Sequence, residues 1–357
     1  MQRVIEGNNR GIFVQGEMAV WRRWLGVALL ACAALTGPAQ ADEHHDKHYD
    51  KHEMAGALSV MVLGSGGPVA TAKGRASAGY LIFTDGKPRI LMDAGGGTFQ
   101  RLAKSGINVK DLDLVLLSHL HIDHTSDLSA IIKTIYFHNV GAGVTRDAPI
   151  QIWGPAANGV PFPDTDIAQY PATSEYVDAH YAMPGGVERY LNVFAKAIRA
   201  GSFAYQAHDL NADWQAGGVQ AVLEQDGLKV TAIAVKHGPA PAVAYRIEYK
   251  GRSIVYSGDT NSESDNMIAL AHGADLLIYD TAIMDTHPNP VMLQLHTTPS
   301  RMGEVAATAQ ARRLVLSHIT PNTEGNLKTV KALIRAQGYT GKITPARDLR
   351  LFALDED

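Results

Sequence analysis

The chain has 357 residues, of which 46% are hydrophobic and 19% charged, and its net charge is −4. This is ordinary globular composition, enough for one large domain or two small ones, and the lack of a basic excess argues against the electrostatic footprint of a nucleic-acid binder. The one cysteine, Cys32, leaves the body of the protein neither disulfides nor thiolate ligands.

In chain order, Met18 to Arg23 forms a basic stretch, Leu25 to Leu35 an apolar one, and Ala39-Gln40-Ala41 an A-x-A cleavage site. Together these read as a secretory signal cut after Ala41, with residues 1–17 an unused upstream start. The apolar span is too short for a transmembrane helix. Arg22-Arg23 followed by Trp24-Leu25 matches a twin-arginine signal, and Leu29-Leu30-Ala31-Cys32 a lipoprotein box anchored at Cys32. All three routes lead to a periplasmic or secreted protein. Residues 42–56 are polar, carry His44, His45, His48 and His52, and are expected to be a disordered tail. It is read either as a metal-gathering segment or as a charged solubility tail.

From residue 57 to 357 the pattern is that of one catalytic α/β domain. Strands are expected at Leu58–Leu63, Gly79–Phe83, Arg89–Met92, Leu112–Leu117, Ile150–Trp153, Leu228–Val235, Val243–Tyr249, Ser253–Tyr256, Asp275–Tyr279, Arg313–Leu316 and Leu349–Ala353. Helices are expected at Phe99–Ser105, Leu128–Phe137, Asn266–Ala271, Ser300–Ala309 and Thr329–Gln337. These are runs of β-branched and apolar residues, or apolar residues at helical spacing. From about 161 to 218 no strand pattern holds, while Tyr170, Tyr176, Tyr181, Tyr190, Phe194, Phe203, Tyr205 and Trp214 concentrate there with Pro163, Pro171 and Pro184. A stretch this long between elements is usually functional or a small subdomain, and it is expected to be a cap with aromatic walls.

The chemistry concentrates in His119-Leu120-His121-Ile122-Asp123-His124, directly after the apolar run Leu112 to Leu117. His119 and His121 are two apart, so an extended backbone points them the same way, while Asp123 and His124 follow as the chain turns. Downstream, His237, Asp259 and His318 each follow a strand-like run. Five imidazoles and two carboxylates make seven groups. A single catalytic zinc uses about three protein ligands and a water, so seven groups point to two metals sharing a carboxylate.

In this order these residues, with Tyr256-Ser257-Gly258-Asp259-Thr260 and Leu316-Ser317-His318, resemble the metallo-β-lactamase superfamily over about residues 58 to 353. Leu63-Gly64-Ser65-Gly66-Gly67-Pro68, Asp93-Ala94-Gly95-Gly96-Gly97 and Ile152-Trp153-Gly154-Pro155 fit as well, and His296-Thr297-Thr298-Pro299 points to the ribonuclease Z-like and arylsulfatase-like branches. The resemblance implies an αβ/βα four-layer sandwich, two sheets with helices outside. It implies two Zn2+ per chain, with Mn or Fe as alternatives. His119, His121 and His237 would hold the first and Asp123, His124 and His318 the second, with Asp259 bridging. Asp93 would orient a ligand histidine.

The implied reaction is hydrolysis of an ester by a metal-bridging hydroxide. Asp123 is counted with the catalytic groups, and His296 is the candidate proton donor for the leaving group. His296 is paired with Asp280, which stands where the ribonuclease Z-like pattern has Glu. The expected substrate is a small anionic ester, a phosphodiester or aryl sulfate, with no nucleic acid as partner. Export and the 21 residues between His237 and Asp259, too few for a long RNA-binding arm, argue against tRNA processing. Lactone, thioester or β-lactam hydrolysis is the alternative, and a non-enzymatic periplasmic zinc-binding protein another. A homodimer is left open.

Overall fold

Alternation along the strands decides the layers. In β1 (Leu58–Gly64), Leu58, Val60 and Val62 turn to one face and Met61 and Leu63 to the other, and every residue is buried. A strand apolar on both faces has to lie inside, with a layer packed on each side. The computed structural model describes residues 56–146, 148–162, 168–182, 186–197 and 204–355. The expected signal (1–41), Cys32 and the His-rich tail up to residue 55 lie outside these, as do Pro163, Pro184, Phe203 and the side chain of Phe194.

Two seven-stranded mixed sheets result. In the first, β14 (Leu351–Leu354), β1, β2 (Gly79–Thr84) and β3 (Lys87–Ala94) are antiparallel neighbours. There β4 (Leu114–Leu116), β5 (Ile150–Pro155) and β6 (Tyr205–Leu210) then continue parallel to β3. In the second, β7 (Gln220–Gln225), β8 (Leu228–Ala234), β9 (Val243–Tyr249) and β10 (Arg252–Tyr256) are antiparallel. The remaining strands β11 (Leu276–Asp280), β12 (Arg313–Ser317) and β13 (Lys342–Pro345) run parallel to β10.

The inner faces meet in one core that includes Val60, Ile82, Met92 and Leu116 from the first sheet and Val230, Ile247, Ile254 and Val315 from the second. Outside the first sheet lie α1 (Thr98–Ser105), α3 (Leu128–Gly141), α4 (Thr173–Tyr181) and α5 (Val187–Ala197), contributing Leu102, Ile131, Ile135, Val177 and Leu191. Between α1 and α3 comes the single turn α2 (Ile122–Thr125). Outside the second sheet lie α6 (Asn266–Ala271), α8 (Pro299–Thr308) and, after the single turn α9 (Pro321–Glu324), α10 (Leu327–Ala336), with α6, α8 and α10 contributing Met267, Leu270, Met302, Val305, Val330 and Ile334. This is the αβ/βα sandwich. The short α7 (Pro290–Leu295) starts on an Asn289 cap with proline at its first position, and α8 starts likewise on Thr298, the usual chemistry of a helix start. Among the described residues no helix is long and apolar enough to cross a membrane.

Three strands escape the sequence pattern: β6, β7 and β13. Each is the edge of its sheet, with one buried residue in β6, one in β7 and none in β13. An edge strand needs no continuous apolar face, so it leaves no run to read. The expectation that no strand lies between 161 and 218 is therefore corrected by β6, and α4 and α5 fall in the same stretch. Of its aromatics, Tyr181 is core and Tyr205 packs against it, Tyr190 is exposed, and Trp214 stacks under the Lys236 ammonium.

Candidate metal centre

The parallel strands β3, β4, β10, β11 and β12 bring their carboxyl ends to one side of the molecule. That is where α/β sheets place their ligands. His119 follows β4, Asp259 follows β10, Asp280 ends β11 and His318 follows β12, while His237 comes from the turn after β8. Glycines admit the close approach of these loops. A Cβ on Gly95 would lie 1.8 Å from the Asp123 carbonyl oxygen, and one on Gly67 2.6 Å from His318 Cε1. Gly95→Ala therefore has to push the backbone of Asp123 outward. We expect a loss of about 1–3 kcal/mol, the usual cost of overpacking, together with reduced metal content, read by thermal unfolding and elemental analysis. An unchanged melting temperature and metal content would refute this packing argument.

Seven of the sequence candidates converge in two groups. One nitrogen each from His119, His121 and His237 lie within 4.8 Å of one another. His119 Nε2 is 3.0 Å and His237 Nε2 3.2 Å from His121 Nδ1. Asp123, His124, Asp259 and His318 form the second group on the same criterion. Here His318 Nε2 stands 3.1 Å from Asp123 Oδ2 and 3.2 Å from Asp259 Oδ2, and His124 Nε2 3.5 Å from Asp259 Oδ1. Asp259 also reaches within 4.0 Å of His119 Nε2, so it lies between the groups.

The donors fit metal ions on their own hydrogen bonding. His124 Nε2 and Asp259 Oδ1 are buried with no hydrogen-bond partner among the described residues, which costs about 1–3 kcal/mol per group unless something else satisfies them. The far nitrogens of two rings are occupied. His237 Nδ1 donates to the Leu295 carbonyl at 2.7 Å, and His124 Nδ1 to Asp93 Oδ2 at 2.7 Å. That arrangement fixes each ring with Nε2 toward the cluster, as ligating histidines are held. Imidazole and carboxylate donors suit zinc and its neighbours.

Electrostatics divide the groups. Burial lowers His119 and His121 and brings His237 down to about 4, leaving neutral imidazoles. Burial also opposes charge on His124 and His318, but Asp259 and the other carboxylates outweigh it, raising His124 well up and His318 to about 10. Burial would raise Asp123 and Asp259. The facing histidines, His124 for the first and His318 with His124 for the second, hold both below the usual carboxylate range.

Asp93 is the tie between the sheets. It is fully buried, sits at φ +53°, and accepts from Ser118 N (2.8 Å), Ser118 Oγ (2.7 Å), His124 Nδ1 and Tyr256 OH (2.7 Å). Tyr256 comes from the second sheet, so one carboxylate links both halves to a candidate ligand. The roles of Ser118 and Tyr256 were missed in the sequence, although both flank its motifs.

His296 caps the end of α7, with Nδ1 2.7 Å from Asp280 Oδ2 and 3.9 Å from Asp259 Oδ2. Burial lowers His296, but the charge and hydrogen bond of Asp280 reverse this and raise it; burial would raise Asp280, and the charge of His296 lowers it. The next residue is anchored: Thr297 Oγ1 donates to the Thr260 carbonyl at 2.6 Å and contacts Ser262 Oγ at 2.7 Å, which reaches Tyr279 OH at 2.6 Å. Nothing in the sequence pattern singles out this buried chain of hydroxyls.

A family model described as "Beta-lactamase superfamily domain" matches residues 165–319, and one described as "Anti-Pycsar protein Apyc1" matches residues 58–144. Ribonuclease Z of Mycobacterium marinum is 28% identical over 306 residues, covering 82% of this chain and 97% of the relative. Ribonuclease Z of Mycobacterium sp. strain KMS is 30% identical over 272 residues, covering 74% and 85%. The metallo-β-lactamase fold protein YhfI from Bacillus subtilis superposes with a TM-score of 0.57 at 21% identity, covering 83% of this chain and 98% of that one.

The ribonuclease Z relatives overturn one expectation. The restriction to a small-molecule substrate, with nucleic acid excluded, does not stand, because relatives aligned along most of this chain are named for action on RNA. Net charge is a sum over the whole molecule and says little about one phosphodiester held locally at a metal site.

Proposed function

Because the chain belongs to the ribonuclease Z-like branch of the metallo-β-lactamase superfamily, we propose that it is a zinc-dependent phosphodiesterase acting on RNA. The observation that carries this is the pair of donor groups meeting at Asp259 with the His296–Asp280 pair beside them. In this reading His119, His121 and His237 hold one zinc, Asp123, His124 and His318 the other, and Asp259 both. Bound there, two zinc ions supply Lewis acidity toward the phosphoryl oxygens and a water that ionises near neutral pH.

The protein's own groups do the rest. Asp93 keeps the His124 ring turned toward the cluster. Asp280 occupies His296 Nδ1 and favours the protonated ring, so the transferable proton sits on Nε2, from which it passes to the leaving oxygen.

A substrate panel tests the reading: an RNA oligonucleotide, bis(4-nitrophenyl) phosphate, an aryl sulfate, a lactone, a thioester and a chromogenic β-lactam. The two phosphodiesters should give the highest kcat/KM. An aryl sulfate or β-lactam ahead by tenfold or more overturns it.

We also propose export directed by residues 18–41. Mass spectrometry of protein expressed in a bacterial host should find a mature chain beginning at Asp42 in the periplasmic fraction, and an uncut chain retained in the cytoplasm contradicts this.

A further inference from the structure

Beside His121 a cavity of about 390 Å³ opens, within the size range of small-ligand sites. Its walls include Phe162, Tyr170 and Tyr176, and its mouth carries Ile122, which is 75% exposed. Phe162 and Tyr170 stand with ring centroids 4.7 Å apart at 58°. The cavity is tied to the candidate metal loops on two sides. Tyr176 OH donates to Thr125 Oγ1 at 3.0 Å, and Thr125 Oγ1 to the His121 carbonyl at 3.1 Å. Asn158 Nδ2 donates to the Pro239 carbonyl at 2.9 Å, joining the loop that leads from β5 to Phe162 to the loop after His237.

Among the described lining residues none is Asp, Glu, Lys or Arg, and His121 is the one imidazole. The cavity therefore suits a neutral, flat, apolar part of an otherwise anionic molecule, whose phosphate would be held by metal ions at the adjacent ligand groups. Nucleobases stack on such aromatic faces with little regard to sequence. The proton donor His296 stands with Asp280, Asp259 and His318, whereas the cavity opens at His121.

We infer that this cavity binds the nucleobase of the nucleotide attached to the scissile phosphate, with Phe162 and Tyr170 as its specificity-determining faces. The choice of a base rather than another aromatic group rests on the phosphodiesterase reading. Ile122 shields the base edge from water, and Tyr176 holds the wall at a set distance from His121.

The test is calorimetric titration of the zinc-loaded protein with AMP and with ribose 5-phosphate, which differ by the base. The wild type should bind AMP at least about tenfold tighter, the scale of one base–aromatic stack. Phe162→Ala and Tyr170→Ala should each reduce that preference severalfold, the double variant should bring it near one, and Tyr170→Phe should keep it. Ribose 5-phosphate binding should hardly change in any of them. Equal binding of the two ligands by the wild type overturns the inference, as does a preference that survives both alanine substitutions. Should the double variant fail to fold, the single variants decide. Turnover of methyl 4-nitrophenyl phosphate, which lacks a base, is followed in parallel. Base preference without its hydrolysis sinks the phosphodiesterase reading and leaves the base site standing, and hydrolysis without base preference does the reverse.

Discussion

Asp259→Ala is expected to bind at most one zinc per chain and to lose at least about 10³ of turnover. Among the described residues Asp259 is the one carboxylate with ion-pair contacts to both groups: Oδ1 faces His124, and Oδ2 faces His318 and, at 4.0 Å, His119. Its removal leaves the raised His124 and His318 without their strongest counter-charge in a buried site. Breaking a buried pair by removing one partner costs about 3–5 kcal/mol, so the metal-free variant should also unfold more easily. Asp259→Asn keeps the shape and loses the charge, and it should recover part of the stability but little metal. Elemental analysis, kinetics and denaturant unfolding read these three effects. Two retained zinc ions in Asp259→Ala would refute the shared position.

His296→Ala should keep both zinc ions and lose about 10²–10⁴ of turnover, the range of general acid catalysis. The loss should be largest for poor leaving groups such as the ribose hydroxyl of RNA. It should nearly vanish for 4-nitrophenolate, which departs without a proton. Asp280→Asn should act in the same direction but more weakly, because it removes the charge that raises His296 while leaving the ring in place. A structural role for His296 gives a different pattern, in which zinc, stability and all leaving groups suffer together. Equal losses on both kinds of substrate with zinc retained would remove the proton-donor role.

The groups that could be read from sequence are those packed into short motifs. His119, His121, Asp123 and His124 lie within six residues, and His237, Asp259 and His318 each follow a run of buried strand. Strands inside a sandwich are apolar on both faces, so β1, β8 and β12 announce themselves, whereas the edges β6, β7 and β13 face solvent and do not. What stays hidden is whatever depends on long-range packing. Tyr256 reaching Asp93 across the core joins residues 163 apart in the chain. The Thr297–Ser262–Tyr279 hydroxyl chain exists only once segments well apart in the sequence meet. The exclusion of nucleic acid failed for a related reason: whole-chain charge is an average, and recognition of a phosphodiester is local.

The central claim is that phosphodiester hydrolysis requires two metal ions at the donors meeting on Asp259. The most direct measurement strips the protein with a chelator and titrates zinc back while following bis(4-nitrophenyl) phosphate hydrolysis. Turnover should be absent in the stripped protein and reach its maximum at two equivalents per chain, and in Asp259→Ala no amount of zinc near stoichiometry should restore it. Full turnover in the stripped protein, or a maximum reached at one equivalent and unchanged by the second, would contradict the account.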